Sequence, residues 1–237
     1  VRTEMNAPTY NRRREEIEEY FDRTAAKAWE RLTSDAPVSG VRATVRAGRD
    51  RMLATLLSYL PADLTGQRVL DAGCGTGALA VEAAHRGAQV VAIDISPTLI
   101  QLANERATDA GRGRIEFRVG DMCGEDSDGD FDWVVAMDSV IHYEADDMVR
   151  VIERLAQRAR RGVAFTFAPS TALLQVAKAA GKIFPRGDRS PDIAPISPAN
   201  LRKRIDASEA LGDFELGRAD LIDSGFYVSR AQELVRR

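Results

Sequence analysis

The stretch VLDAGCGTGALA, residues 69–80, constrains this chain more than any other. It reads as a short buried strand, a turn with glycine at alternate positions, and the opening of a helix. Glycine tolerates the backbone conformations that so tight a turn demands. A strand–turn–helix unit of this kind begins a parallel α/β sheet, and its turn is where such sheets receive nucleotide-like ligands. Read as Gly73-x-Gly75-x-x-Ala78, the turn passes for a dinucleotide fingerprint. Read as Asp71-x-Gly73-x-Gly75-x-Gly77, it belongs to another ligand class. The turn alone does not choose between them.

The pattern that follows keeps alternating. Strands are expected at residues 67–72, 89–93, 115–119, 133–137 and 162–167, with helices at 77–86, from Ser96-Pro97, and at about 145–158. Ser96 supplies an N-cap and Pro97 a first helical residue. The acidic, glycine-containing GEDSDGD is a loop. Residues 170–184 read as a helix before a proline-rich stretch, and Ser197-Pro198 opens another helix running to about Leu211. Residues 214–221 and 226–234 suit a closing antiparallel pair. Ahead of all this, residues 10–33 carry an apolar stripe through Ile17, Tyr20, Phe21, Ala25, Ala28 and Leu32. After a break at SDAPVSG, a second amphipathic helix spans about 41–60 and stops at Pro61. The chain is therefore expected to be an α/β protein: a Rossmann-like, mostly parallel sheet with helices on both faces and an N-terminal helical addition. Residues 1–60 form the helical arm or cap. Residues 61–237 form the core, with an inserted substrate cap at about 170–200.

Bulk properties narrow the function. A length of 237 residues suits one large α/β domain with an appendage, and 44% apolar content is ordinary for a globular chain. A net charge of −3 does not mark a nucleic-acid binder. The two cysteines, Cys74 and Cys123, make no disulfide framework, and with two histidines no metal-ligand spacing occurs. No apolar run is long enough to span a bilayer, and the polar N-terminus lacks a signal-peptide core, so the chain reads as cytosolic.

Ligands of open parallel sheets sit beyond the C-terminal ends of the strands. Here each of the first four strands ends on an aspartate: Asp71, Asp94, Asp121 and Asp138. Aspartate also favours turns and helix caps, so any one of them has a purely structural explanation. All four together are a poor host for pyrophosphate. Two like charges a few Å apart repel by several kcal/mol even at an effective dielectric of about 20. S-adenosylmethionine, with a sulfonium, an ammonium and no phosphate, fits better. Asp71 then lies near the ammonium. Asp94, about 20 residues past Gly73, is placed like the acid that binds ribose hydroxyls. Asp121 accepts from the adenine amino group, and Gly73, Gly75 and Gly77 let the backbone approach the ligand. Ile95, Met122 and Asp138 complete the expected cofactor contacts.

The pieces VLDAGCGTG, VVAIDIS and VGDM, in that order, resemble the class I S-adenosylmethionine-dependent methyltransferases. That resemblance implies a seven-stranded sheet whose last strand is antiparallel. A more specific likeness spans nearly the whole chain. YFDRTAAKAWERL, VRATVRAGRDRM, LDAGCGTGALA, DSVIHY, FTFAPSTALL, GKIFP and GFYVSRAQELVR together resemble the magnesium-protoporphyrin IX O-methyltransferases of chlorophyll and bacteriochlorophyll synthesis. The likeness implies methyl transfer from S-adenosylmethionine to one propionate of magnesium protoporphyrin IX, with S-adenosylhomocysteine as co-product and no protein-bound metal. It also implies a magnesium chelatase porphyrin-binding subunit as partner, and is compatible with peripheral contact at the photosynthetic membrane.

Within that frame, His142 and Tyr143 follow strand four on the functional edge. A propionate titrates near 4.3 and is ionised at neutral pH. His142 is then expected to position the carboxylate rather than deprotonate it. Tyr20 reaches the same place if the N-terminal helix closes over the site; its alternative is a core aromatic. Arg42, Arg46 and Arg49 share one helix face, and either form a solvated face or hold the non-reacting propionate. The helix at 171–184 either lines a macrocycle pocket or belongs to the core. His85 reads as a surface or C-cap residue. Three rivals stay open on sequence alone: a methyltransferase for a phenol or quinone precursor, a non-catalytic S-adenosylmethionine-binding protein, and a dinucleotide dehydrogenase.

Overall fold

The computed structural model describes residues 8–24, 40–107, 114–124, 129–170 and 192–237. The chain enters through α1 (Pro8–Glu19) and a π-helical turn (Tyr20–Thr24), followed by α2 (Val41–Tyr59). The alternating body is β1 (Arg68–Ala72), α3 (Ala78–His85), β2 (Gln89–Asp94), α4 (Pro97–Arg106), β3 (Ile115–Val119), β4 (Phe131–Ala136), α5 (Ala145–Ala156) and β5 (Ala159–Phe167). It closes with α6 (Pro198–Asp206), β6 (Phe214–Ser224) and β7 (Tyr227–Arg236). Ser96 caps α4 by accepting from the Leu99 N–H, with Pro97 in the first turn, as its sequence requires.

The strands form one seven-stranded sheet in the order β3-β2-β1-β4-β5-β7-β6. Strands β1 to β5 pair in parallel, and β7 lies antiparallel to both β5 and β6. Six strands thus share one direction and the last opposes them. The order reverses between β1 and β4, and this switch opens a crevice beyond their C-terminal ends.

Alternation along the strands divides the core in two. Leu70, Ala72 and Ile93 belong to one cluster, Val69, Val90 and Ala92 to the other. Each N-terminal helix joins a different face. Tyr10 and Ile17 of α1 enter the first cluster, while Met52, Leu56 and Leu57 of α2 enter the second, beside Ala80 and Ala83 of α3. The two helices thereby approach the open end of the sheet from opposite sides. The expected helix over 10–33 departs from α-helical geometry at Tyr20. Its second half and the expected 170–184 helix lie outside the described residues.

The glycine turn has positive φ at Gly73, Gly75 and Gly77. At Gly77 the space is also taken: a Cβ there would sit 2.9 Å from Phe117 Cε1 and 3.2 Å from Ala103 Cβ. Strain and overpacking together cost about 1–3 kcal/mol. Gly77→Ala is therefore expected to lower the thermal midpoint by roughly 3–10 °C in a denaturation scan. An unchanged midpoint contradicts this packing.

Candidate active site

Beyond the ends of β1, β2 and β4 lies a cavity of about 730 Å³, a volume suited to a small-molecule site. The carboxylates Asp71, Asp94, Asp121 and Asp138 all line it. They differ sharply in how their charge is met.

Asp71 sits in β1 and is only 1% exposed. Its Oδ2 has no hydrogen-bond partner among the described residues. Burial, helped by the nearby Asp94 charge, pushes its carboxyl up to about 7. Asp94 ends β2. Its Oδ2 accepts from the Gly75 N–H at 2.9 Å and its Oδ1 from the Ser96 N–H at 3.0 Å. Burial still raises it. A carboxylate has about four acceptor sites, so capacity remains for hydroxyl groups. Among the described residues neither Asp71 nor Asp94 has an ion pair. Between them stands the Cys74 thiol, which burial and these two carboxylates push well up. It stays neutral and unreactive.

The other two aspartates are engaged by helices from the N-terminal region. Asp121 Oδ1 accepts from the Tyr10 hydroxyl at 2.6 Å and from the Cys123 N–H at 2.8 Å, and Oδ2 faces Arg14 at 3.4 Å. Tyr10 also stacks on Tyr143, with ring centroids 4.9 Å apart. Asp138 pairs with Arg49 at 2.5 Å and accepts from Tyr227 Oη at 3.0 and 3.1 Å. Thr166 Oγ1 receives the Asp138 N–H at 2.7 Å. Among the described residues Asp138 is also the non-glycine residue with positive φ, +53°. Such strain persists only where its surroundings hold it, here the three partners Arg49, Tyr227 and Thr166.

The short 3₁₀ turn Val140–His142 places His142 in the same lining, 5% exposed. Phe21 packs edge-on to it at 6.1 Å and to Tyr20 at 5.2 Å. Tyr20 and Phe21 from the π turn, and Arg46 and Arg49 from α2, face the same cavity. The structure thus brings Tyr20, His142, Tyr143, Arg46, Arg49, Gly73, Gly75, Ile95, Met122 and the four aspartates to one cavity.

Two expected residues fall outside the lining, and three that line it already have close protein neighbours. Arg42 is exposed and outside the lining, because α2 turns it away one turn before Arg46. Gly77 is also outside; its missing Cβ makes room for Phe117 and Ala103, not a ligand. Gly73 lines the cavity, but a Cβ there would meet Ser139 Cβ at 2.4 Å, so protein packing already demands glycine. Asp121 and Asp138, expected to touch the cofactor, line the cavity and also bond to Tyr10 and Arg14 and to Arg49 and Tyr227. Their charges are met from within the chain. His85 is exposed in the last turn of α3, where the sequence put it. Sequence reasoning gave no role to Tyr10, Phe226 or Tyr227. The long-range pairing that places them leaves no local pattern.

A buried carboxylate oxygen without a donor is costly, and beside a cavity it fits a cationic group. The ammonium of S-adenosylmethionine has that charge, and Asp94 has acceptors left for a ribose. A pyrophosphate at this turn is repelled by Asp71 and Asp94. Six aligned strands, one reversed strand and this acid-lined turn define a class I S-adenosylmethionine-dependent methyltransferase.

Comparison with known proteins narrows the class. Residues 136–236 match the family model "Magnesium-protoporphyrin IX methyltransferase C-terminus", and residues 69–162 match "Methyltransferase domain". The chain is 50% identical over 221 residues to a magnesium-protoporphyrin O-methyltransferase of Rhodobacter capsulatus, covering 93% of this chain and 95% of the relative. It resembles the crystal structure of magnesium protoporphyrin IX methyltransferase from Synechocystis with bound SAH: TM-score 0.78, 31% identity, covering 94% of this chain and 99% of that one. A second structure of the Synechocystis protein, with bound SAM, gives a TM-score of 0.75 at 26% identity, covering 95% and 97%. The chain belongs to the magnesium-protoporphyrin IX methyltransferase family.

The raised Asp71 carboxyl makes a two-part prediction. Its folded-state value of about 7 lies above the ordinary carboxylate value, so its contribution to stability is present at acid pH and lost as pH rises through about 7. Asp71→Asn is expected to raise the thermal midpoint of the ligand-free protein by roughly 3–8 °C at pH 8 and to leave it unchanged at pH 4. The same variant is expected to bind S-adenosylmethionine at least about tenfold more weakly at pH 8, because a charge-assisted hydrogen bond is lost. A midpoint lowered at pH 8, or full cofactor affinity, contradicts this reading of the carboxylate.

Proposed function

We propose that this chain transfers the methyl group of S-adenosylmethionine to a propionate carboxylate of magnesium protoporphyrin IX, giving the monomethyl ester in (bacterio)chlorophyll biosynthesis. The observation that carries the reading is one cavity whose lining combines Asp71, with one oxygen lacking a donor, and Asp94 with His142 and Arg46. The near full-length identity with the Rhodobacter relative supports it.

When bound, the cofactor supplies a methyl carbon activated by a positively charged sulfur. Asp71 holds the ammonium, Asp94 the ribose, and Ile95 and Met122 offer apolar walls to the adenine. Gly75 places its N–H on Asp94 and so fixes the acid that meets the ribose. On the opposite side the acceptor arrives ionised, so the chain needs no strong base. His142 donates a hydrogen bond to the reacting carboxylate and aims one oxygen at the methyl group, while Tyr20 and Phe21 close the cavity against water. Holding the groups in line is worth roughly 7–11 kcal/mol in well-oriented systems. Tyr143, braced by Tyr10, shapes the floor beside His142. Arg46 and Arg49 receive the second propionate. The described parts of the first 60 residues cap this cavity through Tyr20, Phe21, Val45 and Arg46.

Two further points rest on the family likeness. A magnesium chelatase porphyrin-binding subunit delivers the substrate, and the chain works in the cytoplasm or at the surface of the photosynthetic membrane. Among the described residues no helix is long and apolar enough to cross a membrane.

Incubation with magnesium protoporphyrin and S-adenosylmethionine, followed by mass spectrometry, is expected to show a porphyrin heavier by one methyl ester. Unchanged porphyrin alongside normal cofactor binding rejects the acceptor. With both substrates saturating, kcat is expected to stay flat from pH 6 to 8, since the nucleophile is already ionised. His142→Ala is expected to lower kcat by about 10- to 100-fold with cofactor affinity retained. A rate that climbs steeply with pH points instead to a phenolic acceptor that must lose a proton. Arg46→Ala is expected to weaken porphyrin binding about tenfold, whereas Arg42→Ala, outside the lining, leaves it unchanged. Equal effects from the two contradict the assignment.

A further inference from the structure

The β6–β7 hairpin takes no part in the cofactor site, yet its tip reaches the cavity. Ser224 pairs with Tyr227, which leaves a two-residue turn, Gly225-Phe226, with Gly225 at φ +64°. Glycine first in such a turn sets the strand twist and fixes where the second residue points. A Cβ on Gly225 would come within 3.8 Å of Thr44, so the tip lies against the opening turns of α2.

Phe226 is 73% exposed and still lines the cavity. Single exposed apolar residues are ordinary, but these are not scattered. Ile193, 38% exposed, lines the same cavity, and Val45 joins them from α2. The mouth is thus edged with apolar surface next to Arg46. Tyr227 turns the other way. Its ring lies so close on α2 that a Cβ at Gly48 would fall 2.6 Å from Tyr227 Cδ1. Its hydroxyl donates to Asp138, which in turn grips Arg49. Adjacent hairpin residues therefore present an aromatic face at the mouth and a brace for a guanidinium inside it. A flat apolar ring bearing two carboxylates needs both.

We propose that the tip of the β6–β7 hairpin is the acceptor-recognition element of this cavity: Phe226 covers one face of the macrocycle, and Tyr227, through Asp138, aims Arg49 at the carboxylate that is not methylated. The inference rests on the acceptor proposed above. Phe226 is a specificity-determining contact. Tyr227 and Asp138 are positioning residues that act through Arg49.

The test compares wild type, Phe226→Ala, Phe226→Trp and Tyr227→Phe. Each is assayed with magnesium protoporphyrin and with the same porphyrin esterified at the propionate the enzyme leaves free. S-adenosylmethionine binding is measured by calorimetry. Phe226→Ala is expected to raise the porphyrin KM about tenfold, the worth of one aromatic contact, with kcat within about twofold and cofactor affinity unchanged. Phe226→Trp is expected to restore KM. Tyr227→Phe is expected to shrink the preference for the diacid over the half-ester at least about threefold, because Asp138 loses the hydroxyl that fixes it and aims Arg49 less well. An unchanged KM in Phe226→Ala, no rescue by tryptophan, or an intact diacid preference in Tyr227→Phe overturns the inference. Failure of the wild type to methylate either porphyrin overturns the acceptor itself, a distinct result.

Discussion

A carboxylate buried in the central strand of a parallel sheet, with one oxygen lacking a donor, is the constraint around which this site is organised. Asp71 stands in β1 where its neighbours Leu70 and Ala72 are fully buried. Burial and Asp94 both work against its charge, and the protein offers no cation beside it among the described residues. A polar group placed so expensively is retained only where a ligand completes it. That ligand must bring a positive charge and tolerate a second acid nearby. An ammonium on a nucleoside does both, and a pyrophosphate does neither.

The electrostatic division of the cavity follows from the packing of the first two helices. Because α1 and α2 insert apolar residues into opposite faces of the sheet, each brings its basic side chains to the rim from its own side. Arg14 and Tyr10 take Asp121; Arg49 takes Asp138. The rim of four acids thereby becomes two that are neutralised by the chain and two that remain for a ligand. Closure over the site and tuning of its charge are one structural event. A helix packed for hydrophobic burial delivers the counterion as well.

The sequence made the body of the fold readable because its code is local. Short apolar strand runs, the Ser96-Pro97 cap and the proline stop after α2 each act within a few residues. The acids at the strand ends were legible for the same reason, since strand termini in a parallel sheet share one edge. What those acids bind was less so. Asp121 and Asp138 look equivalent to Asp71 in sequence, and only pairing across 107 and 89 residues separates them. Arg42 and Arg46 lie on one helix face by spacing, yet of the two only Arg46 lines the cavity. Phe226 and Tyr227 were hidden inside a strand pattern whose meaning depends on where the hairpin ends. Glycines were legible as necessary but not for their reason: Gly73 and Gly77 answer to Ser139 and Phe117, neighbours from distant segments.

Proton release on cofactor binding tests the central claim most directly. With Asp71 near 7 in the ligand-free protein and ionised against an ammonium in the complex, binding of S-adenosylmethionine at pH 7 expels about half a proton. Calorimetry in two buffers of different ionisation enthalpy reads this number without any assumption about the methyl acceptor. The account predicts release of about that size, abolished in Asp71→Asn. No release, or the same release in the variant, contradicts it.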